Sequence, residues 1–151
     1  MKTEVSLSAL CARLAEDFLS MHNNKGVRFV WTVEPGISVH GDATLLSQVV
    51  TNLLENAQKY ASSESPRVRL RLLGENGFAR LSVENTHPPL PSEIVDRLFE
   101  PYFRHEQKIG SGVGLGLPIV RNIVTLHNGQ IRAENFEDGI RFLVLLPLKR
   151  E

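Results

Sequence analysis

The chain is 151 residues long, enough to bury a real core as one domain, and 42% apolar with 23% charged, the composition of an ordinary globular protein. Seventeen basic and seventeen acidic side chains cancel, which argues against bulk attraction to nucleic acid or anionic lipid. The single Cys11 excludes an internal disulfide, and no apolar run approaches the roughly 18–20 residues of a membrane span. From Ser6 to Met21, apolar residues at Leu7, Leu10, Leu14, Phe18 and Met21 keep a three-and-four spacing that predicts an amphipathic helix. "VRFVWTV" (Val27 to Val33) reads as a strand and "EPGISVHGD" as turn-rich, with Asp42 placed to cap a long helix running to about Ala61. "RVRLRLLGENGFARLSVEN" alternates on both sides of a short turn, the pattern of a β-hairpin. "PSEIVDRLFE" predicts a short helix, and "YFRHEQKIGSG" has no periodicity. Pro118 to Leu126 predicts a further helix, since proline is tolerated in a first turn. "GQIRAENFEDGIRFLVLLPL" predicts a second hairpin turning at Glu137, Asp138 and Gly139. Hairpins interleaved with helices imply a mixed sheet of about five strands covered by helices, an α/β sandwich in the α+β manner.

The long helix is the most informative. At about 100° per residue, Leu45, Leu46, Val49, Val50, Leu53, Leu54, Ala57 and Ala61 fill one broad arc. Asn56 falls inside the border of that arc, with Asn52 and Lys59 beside it. A buried amide costs free energy unless it finds partners. On its own, Asn56 either satisfies the backbone of a neighbouring loop or serves a ligand. Amide oxygens suit a hard cation such as Mg²⁺, and a lysine is a point charge for phosphate.

The stretch "GSGVGLGLPIV" puts glycines at 110, 112, 114 and 116 and then becomes apolar. It is not a P-loop, because no lysine follows a glycine at the required place, and its spacing of two throughout is not the dinucleotide fingerprint. Glycines running into a helix N-terminus nevertheless let backbone N–H groups approach an anion closely. Leu115 and Leu117, interleaved with them, argue against a simple tether.

Taken in order, these segments resemble the catalytic ATP-binding domain of two-component sensor histidine kinases, within the superfamily of DNA gyrase, the heat-shock chaperone ATPase and the mismatch-repair ATPase. "NLLENAQKYA" (Asn52 to Ala61) is similar to the family's N-box, "LFEPYFR" (Leu98 to Arg104) to its F-box, and the glycine run to its second glycine box. The resemblance covers nearly the whole chain and implies a Bergerat-type sandwich that binds ATP with Mg²⁺. It implies that Asn56 coordinates the Mg²⁺, that Asn52 assists, that Lys59 neutralises phosphate charge and that Tyr60 lines the nucleotide pocket. Gly112, Gly114 and Gly116 would bring backbone donors to the nucleotide phosphates, and Leu115 among them would belong to the nucleotide-binding residues. ATP-hydrolysing members carry a glutamate where this chain has Asn52, and an amide is no general base. That favours transfer of the γ-phosphate to a histidine over hydrolysis.

The first glycine box departs from the family pattern. Where the family has D-x-G-x-G, this chain has Asn85, His87 and Pro89. Asn85 Oδ1 still accepts a hydrogen bond from an adenine amino group, but without a carboxylate's charge, a difference of roughly 1 kcal/mol or about fivefold in affinity. The expectation is therefore one kinase catalytic domain over residues 1–151, without the acceptor-histidine dimerisation domain and hence unable to autophosphorylate alone. Its expected partners are that acceptor domain and a response regulator, with no nucleic acid and no direct membrane contact, on the cytoplasmic side of a membrane-bound sensor. The alternative is a degenerate module that has lost ATP and docks a signalling partner. His22, His40, His87, His105 and His127 are scattered and give no metal-ligand spacing. Trp31 is expected in the core, and Phe99 either in the core or in a lid.

Overall fold

The computed structural model describes residues 2–22, 26–62, 64–101 and 116–149. The elements in chain order are β1 (Thr3–Ser6), α1 (Leu7–His22), β2 (Arg28–Val33), β3 (Ser38–Gly41), α2 (Ala43–Tyr60), β4 (Arg67–Glu75), β5 (Phe78–Thr86), α3 (Ser92–Val95), α4 (Gly116–Leu126), β6 (Gln130–Phe136) and β7 (Gly139–Pro147). A five-stranded sheet has the order β2-β4-β5-β7-β6. Its β2–β4 pair is parallel and its other pairs are antiparallel, the expected mixed sheet. The small sheet formed by β1 and β3 was not expected; Ser38–Gly41 lies in the stretch read as turns and is held as a strand by pairing with Thr3–Ser6.

Local chemistry explains most boundaries. Ser6 Oγ accepts from the Ala9 N–H at 3.1 Å, so α1 starts one residue later than its apolar spacing suggests. The β4–β5 hairpin turns on Asn76 and Gly77, at φ 54° and 84°, the two positive values that a two-residue type I′ turn requires. The β6–β7 hairpin also closes in two residues, because Phe136 already pairs with Gly139. Only Ser92–Val95 of the expected short helix is helical, and turns follow.

Alternation gives the large sheet two different faces. Val68, Leu70, Leu72, Ala79, Leu81, Val83, Ile140, Phe142, Val144 and Leu146 are buried on one. Against them pack Leu46, Val49, Val50, Leu53, Leu54 and Ala57 of α2, Val120, Ile123 and Val124 of α4, and Leu7, Leu10, Cys11 and Phe18 of α1. Trp31 stacks on Phe29 at 5.3 Å beside this core, and Phe99 meets Phe142 edge-on at 5.9 Å, so both are core aromatics.

The other face carries charge in a row. Arg69, Glu84, Arg141 and Glu134 are register partners across β4, β5, β7 and β6. Glu84 is 9% exposed and is held by Arg69 Nη2 at 2.5 Å and Arg71 Nη2 at 3.1 Å. Two guanidinium groups compensate a carboxylate that would otherwise be costly to bury. Arg141 pairs with Glu134 and lies 3.9 Å over the Phe136 ring. Burial pushes the Glu134 carboxyl up, but its hydrogen bond to Arg141 and the charges of Arg141 and Arg132 outweigh this and hold it below its ordinary 4.5. A depressed folded value means that Glu134 contributes stability above about pH 4.5 and loses it as the pH falls through the folded value. The denaturation midpoints of wild type and Glu134→Gln should therefore differ at pH 6 and converge toward pH 3. A gap that stays constant with pH would show that the pair adds nothing to acid stability.

Cys11 is fully buried in the core, and burial pushes its thiol up to about 12. The thiolate is the reactive form. Maleimide labelling of the native protein at pH 7 should proceed only as fast as the core opens and should accelerate sharply through the unfolding transition. Rapid native labelling would contradict this packing.

Candidate functional site

The site is organised by α2. Asp42 caps it as expected, its Oδ1 accepting from the Leu45 N–H at 3.0 Å. Leu46, Val49, Val50, Leu53, Leu54 and Ala57 of the apolar arc are buried and Leu45 and Ala61 half-buried, while Asn52 and Asn56, one turn apart, are half-buried at its edge. Among the described residues, no hydrogen bond uses either side-chain amide. Glu55 is exposed, as is Lys59, whose Nζ sits 5.6 Å from the centre of the half-buried Tyr60 ring.

The C-terminal end of α2 is fastened to the end of β5. The Ser62 N–H donates to the Thr86 carbonyl at 2.8 Å, and Thr86 Oγ1 accepts from the Arg67 N–H at 3.1 Å. Asn85 precedes Thr86, is 4% exposed and alternates with Leu81 and Val83 on the helix-covered face. Its Nδ2 donates to the Thr86 carbonyl at 3.1 Å, which leaves Oδ1 as the acceptor. Glu84 lies on the opposite face with Arg69 and Arg71, so it does not replace Asn85 at this position.

The substituted segment after Asn85 is well anchored. The His87 N–H donates to the Asp138 carbonyl at 3.1 Å, and the His87 Nδ1–H donates to the Pro88 carbonyl at 2.7 Å. Asn135 then pairs with the Leu90 backbone in both directions, accepting from its N–H and donating to its carbonyl, each at 2.9 Å.

The other wall of the site is α4. His127, just past its end, accepts at Nε2 from the Asp42 N–H at 3.0 Å, so the end of α4 meets the start of α2. The two helices also pack against one another. Gly116 is the first residue of α4. Gly116 is exposed, and a Cβ there would meet nothing within 4 Å. Gly112, Gly114 and Leu115 lie outside the described residues, as do Tyr102, Phe103 and Arg104 of the aromatic segment.

Residues 41–150 match the family of histidine kinase-, DNA gyrase B- and HSP90-like ATPases. The chain belongs to this family. The sensor protein CutS of Streptomyces coelicolor is 36% identical over 148 residues, which are 95% of this chain and 36% of CutS. The sensor protein ChvG of Agrobacterium fabrum is 37% identical over 118 residues, 72% of this chain and 20% of ChvG. The chain thus spans about a third or less of these relatives' length. Among solved structures, the catalytic domain of histidine kinase ThkA superposes with a TM-score of 0.86 at 30% identity, covering 97% of this chain and 95% of that one. The mycobacterial sensor histidine kinase MprB gives a TM-score of 0.85 at 28% identity over 99% of this chain and 100% of that one. ThkA has also been solved in complex with the response regulator TrrA.

Within this ATPase-family domain, sequence reasoning missed two groups. Asn135 stood in a strand with nothing to mark its pairing with Leu90. His127 was set aside as one of several scattered histidines. A signal for it was present: a strong N-cap at Asp42 followed three residues later by Leu45, which cannot reach back to the cap N–H as a glutamate or glutamine would. No group of three or more His, Cys, Asp or Glu among the described residues could hold a metal ion. Amide oxygens on α2 remain suitable donors for a hard cation that takes its other ligands from phosphate and water. No helix among the described residues is long and apolar enough to cross a membrane.

Proposed function

We propose that the chain is the catalytic domain of a sensor histidine kinase, binding Mg²⁺–ATP between α2 and the start of α4 and delivering the γ-phosphate to a histidine of a separate acceptor domain. The observation that carries this reading is the pair of half-buried amides, Asn52 and Asn56, on a helix whose far end is fastened to the strand bearing buried Asn85. Bound Mg²⁺ would offset phosphate charge, and Asn56, assisted by Asn52, would hold it. Lys59 would neutralise further phosphate charge beside Tyr60, which would line the pocket. Asn85 Oδ1 would accept from the adenine amino group. Gly112, Gly114, Leu115 and Gly116 would surround the phosphates with backbone donors at a helix N-terminus. With Asn52 in place of a general base, this chain's contribution is positioning and charge neutralisation, which phosphoryl transfer chiefly requires. The acceptor domain, a response regulator and a cytoplasmic location within a membrane-bound sensor complete the proposal. It includes no role for nucleic acid or for membrane contact by residues 1–151.

The test is calorimetric titration of the chain with ATP and ADP, with and without Mg²⁺. Saturable binding strengthened by Mg²⁺ is the expected result. The absence of heat at millimolar nucleotide would overturn the reading in favour of a degenerate docking module, for which the well-anchored His87 and Pro89 segment is the motive. Restoring Asn85→Asp, His87→Gly and Pro89→Gly would then test whether that segment is the cause.

A further inference from the structure

We infer that His127 is a positioning residue for nucleotide binding, because it completes the N-cap of α2 from another helix and thereby sets the register between the two helices that flank the site. This inference rests on the nucleotide-binding reading above. His127 is 5% exposed, so its ring nitrogens need partners within the protein. Nδ1 lies 2.8 Å from the Ile123 carbonyl, which can only accept, so Nδ1 carries the proton. Nε2 is then a bare acceptor, and it receives the Asp42 N–H at 3.0 Å.

In a capping box, the side chain at the third helical position satisfies the cap residue's own N–H. That position is Leu45 here, which has no acceptor. The imidazole therefore supplies in trans what the local sequence lacks, and its Nδ1–H bond fixes the ring to its own helix while it does so. The neighbouring backbone is shaped to admit the ring. A Cβ on Gly41 would come within 2.6 Å of His127 Cδ2 and 2.8 Å of Nε2, with Leu46 Cδ1 at 2.9 Å on the other side. Lys2 Nζ bonds the Leu126 carbonyl at 2.5 Å and adds a second strap at the same end. Because α4 packs against α2 and is tied to it at this joint, a slip there shifts the start of α4 relative to the helix that carries Asn52 and Asn56. The joint is distant from the proposed ligand yet sets where the two walls meet.

Two substitutions separate the bonds. Asparagine places a donor near the Nδ1 position but has nothing at Nε2, so His127→Asn keeps the bond to Ile123 and loses the one to Asp42. Glutamine reaches the Nε2 position with an acceptor oxygen, so His127→Gln retains the interhelix bond. Mg²⁺–ADP would be titrated calorimetrically into wild type and both variants, and exchange of the Asp42 amide followed by NMR in each. Affinity should fall about tenfold in His127→Asn, the loss of one good hydrogen bond, and stay within about twofold of wild type in His127→Gln. The Asp42 amide should be protected in wild type and His127→Gln and exchange rapidly in His127→Asn. Equal affinities in all three, or equal losses in both variants, would overturn the positioning role. If wild type itself binds no nucleotide, the functional reading fails and positioning for nucleotide fails with it. The amide exchange pattern still decides separately whether His127 caps α2.

Discussion

Replacing Asn56 with alanine is expected to remove the Mg²⁺-dependent part of nucleotide affinity while leaving the fold intact. Asn56 is half-buried, and its amide takes part in no hydrogen bond among the described residues, so truncation orphans no group among them. Its stability cost should be below about 1 kcal/mol, as for surface positions away from special features. The ligand cost should be far larger. Even groups that act on a metal only through its ligands are worth about 10–100-fold in affinity, and loss of a direct ligand should reach at least the top of that range. Calorimetry with ADP in the presence and absence of Mg²⁺ checks this, with thermal denaturation run alongside. Unchanged Mg²⁺ enhancement in Asn56→Ala would sink the assignment of this residue, whatever the wild-type affinity.

The helix carrying Asn52 and Asn56 was legible because it is written in local terms. A cap at Asp42, an apolar arc and a break at "SSESP" define the helix, and an amide inside the apolar border stands out against that arc. The β4–β5 hairpin was legible for the same reason, since Asn76-Gly77 specifies its own turn. What escaped depends on pairing across long stretches of chain. Ser38–Gly41 is a strand only because Thr3–Ser6 lies beside it. The parallel alignment of Arg28–Val33 with Arg67–Leu72 has no local signature. The row from Arg69 to Glu134 is likewise invisible in one dimension, because each charge lies on a different strand. The joint at His127 belongs to this second kind: it satisfies a backbone group 85 positions away.

Gly139→Ala is expected to be the most damaging small substitution near the site. Gly139 begins β7 and pairs with Thr86 of β5 on one side and Phe136 of β6 on the other. A Cβ there would strike the Asn85 carbonyl and Thr86 Cα, which are backbone atoms of an interior strand and cannot rotate aside. The constraint is one of space rather than of glycine's conformational freedom. Overpacking of this kind costs about 1–3 kcal/mol and occasionally more; contact with backbone instead of a side-chain tip places Gly139→Ala at the upper end, about 3 kcal/mol. Gly77→Ala provides the contrast, since that site has φ +84° and nothing within 4 Å, so its penalty is conformational, about 1 kcal/mol. The two variants should also differ in binding. Relief of the clash at residue 139 must push the end of β5 away from β7, carrying Asn85 with it, whereas residue 77 lies at the other end of the strand. Urea denaturation should therefore rank Gly139→Ala well below Gly77→Ala, and nucleotide affinity should fall in the first and hold in the second. Equal stability of Gly139→Ala and wild type would mean that β5 and β7 separate freely at this point, and the buried Asn85 could then no longer be regarded as held in place.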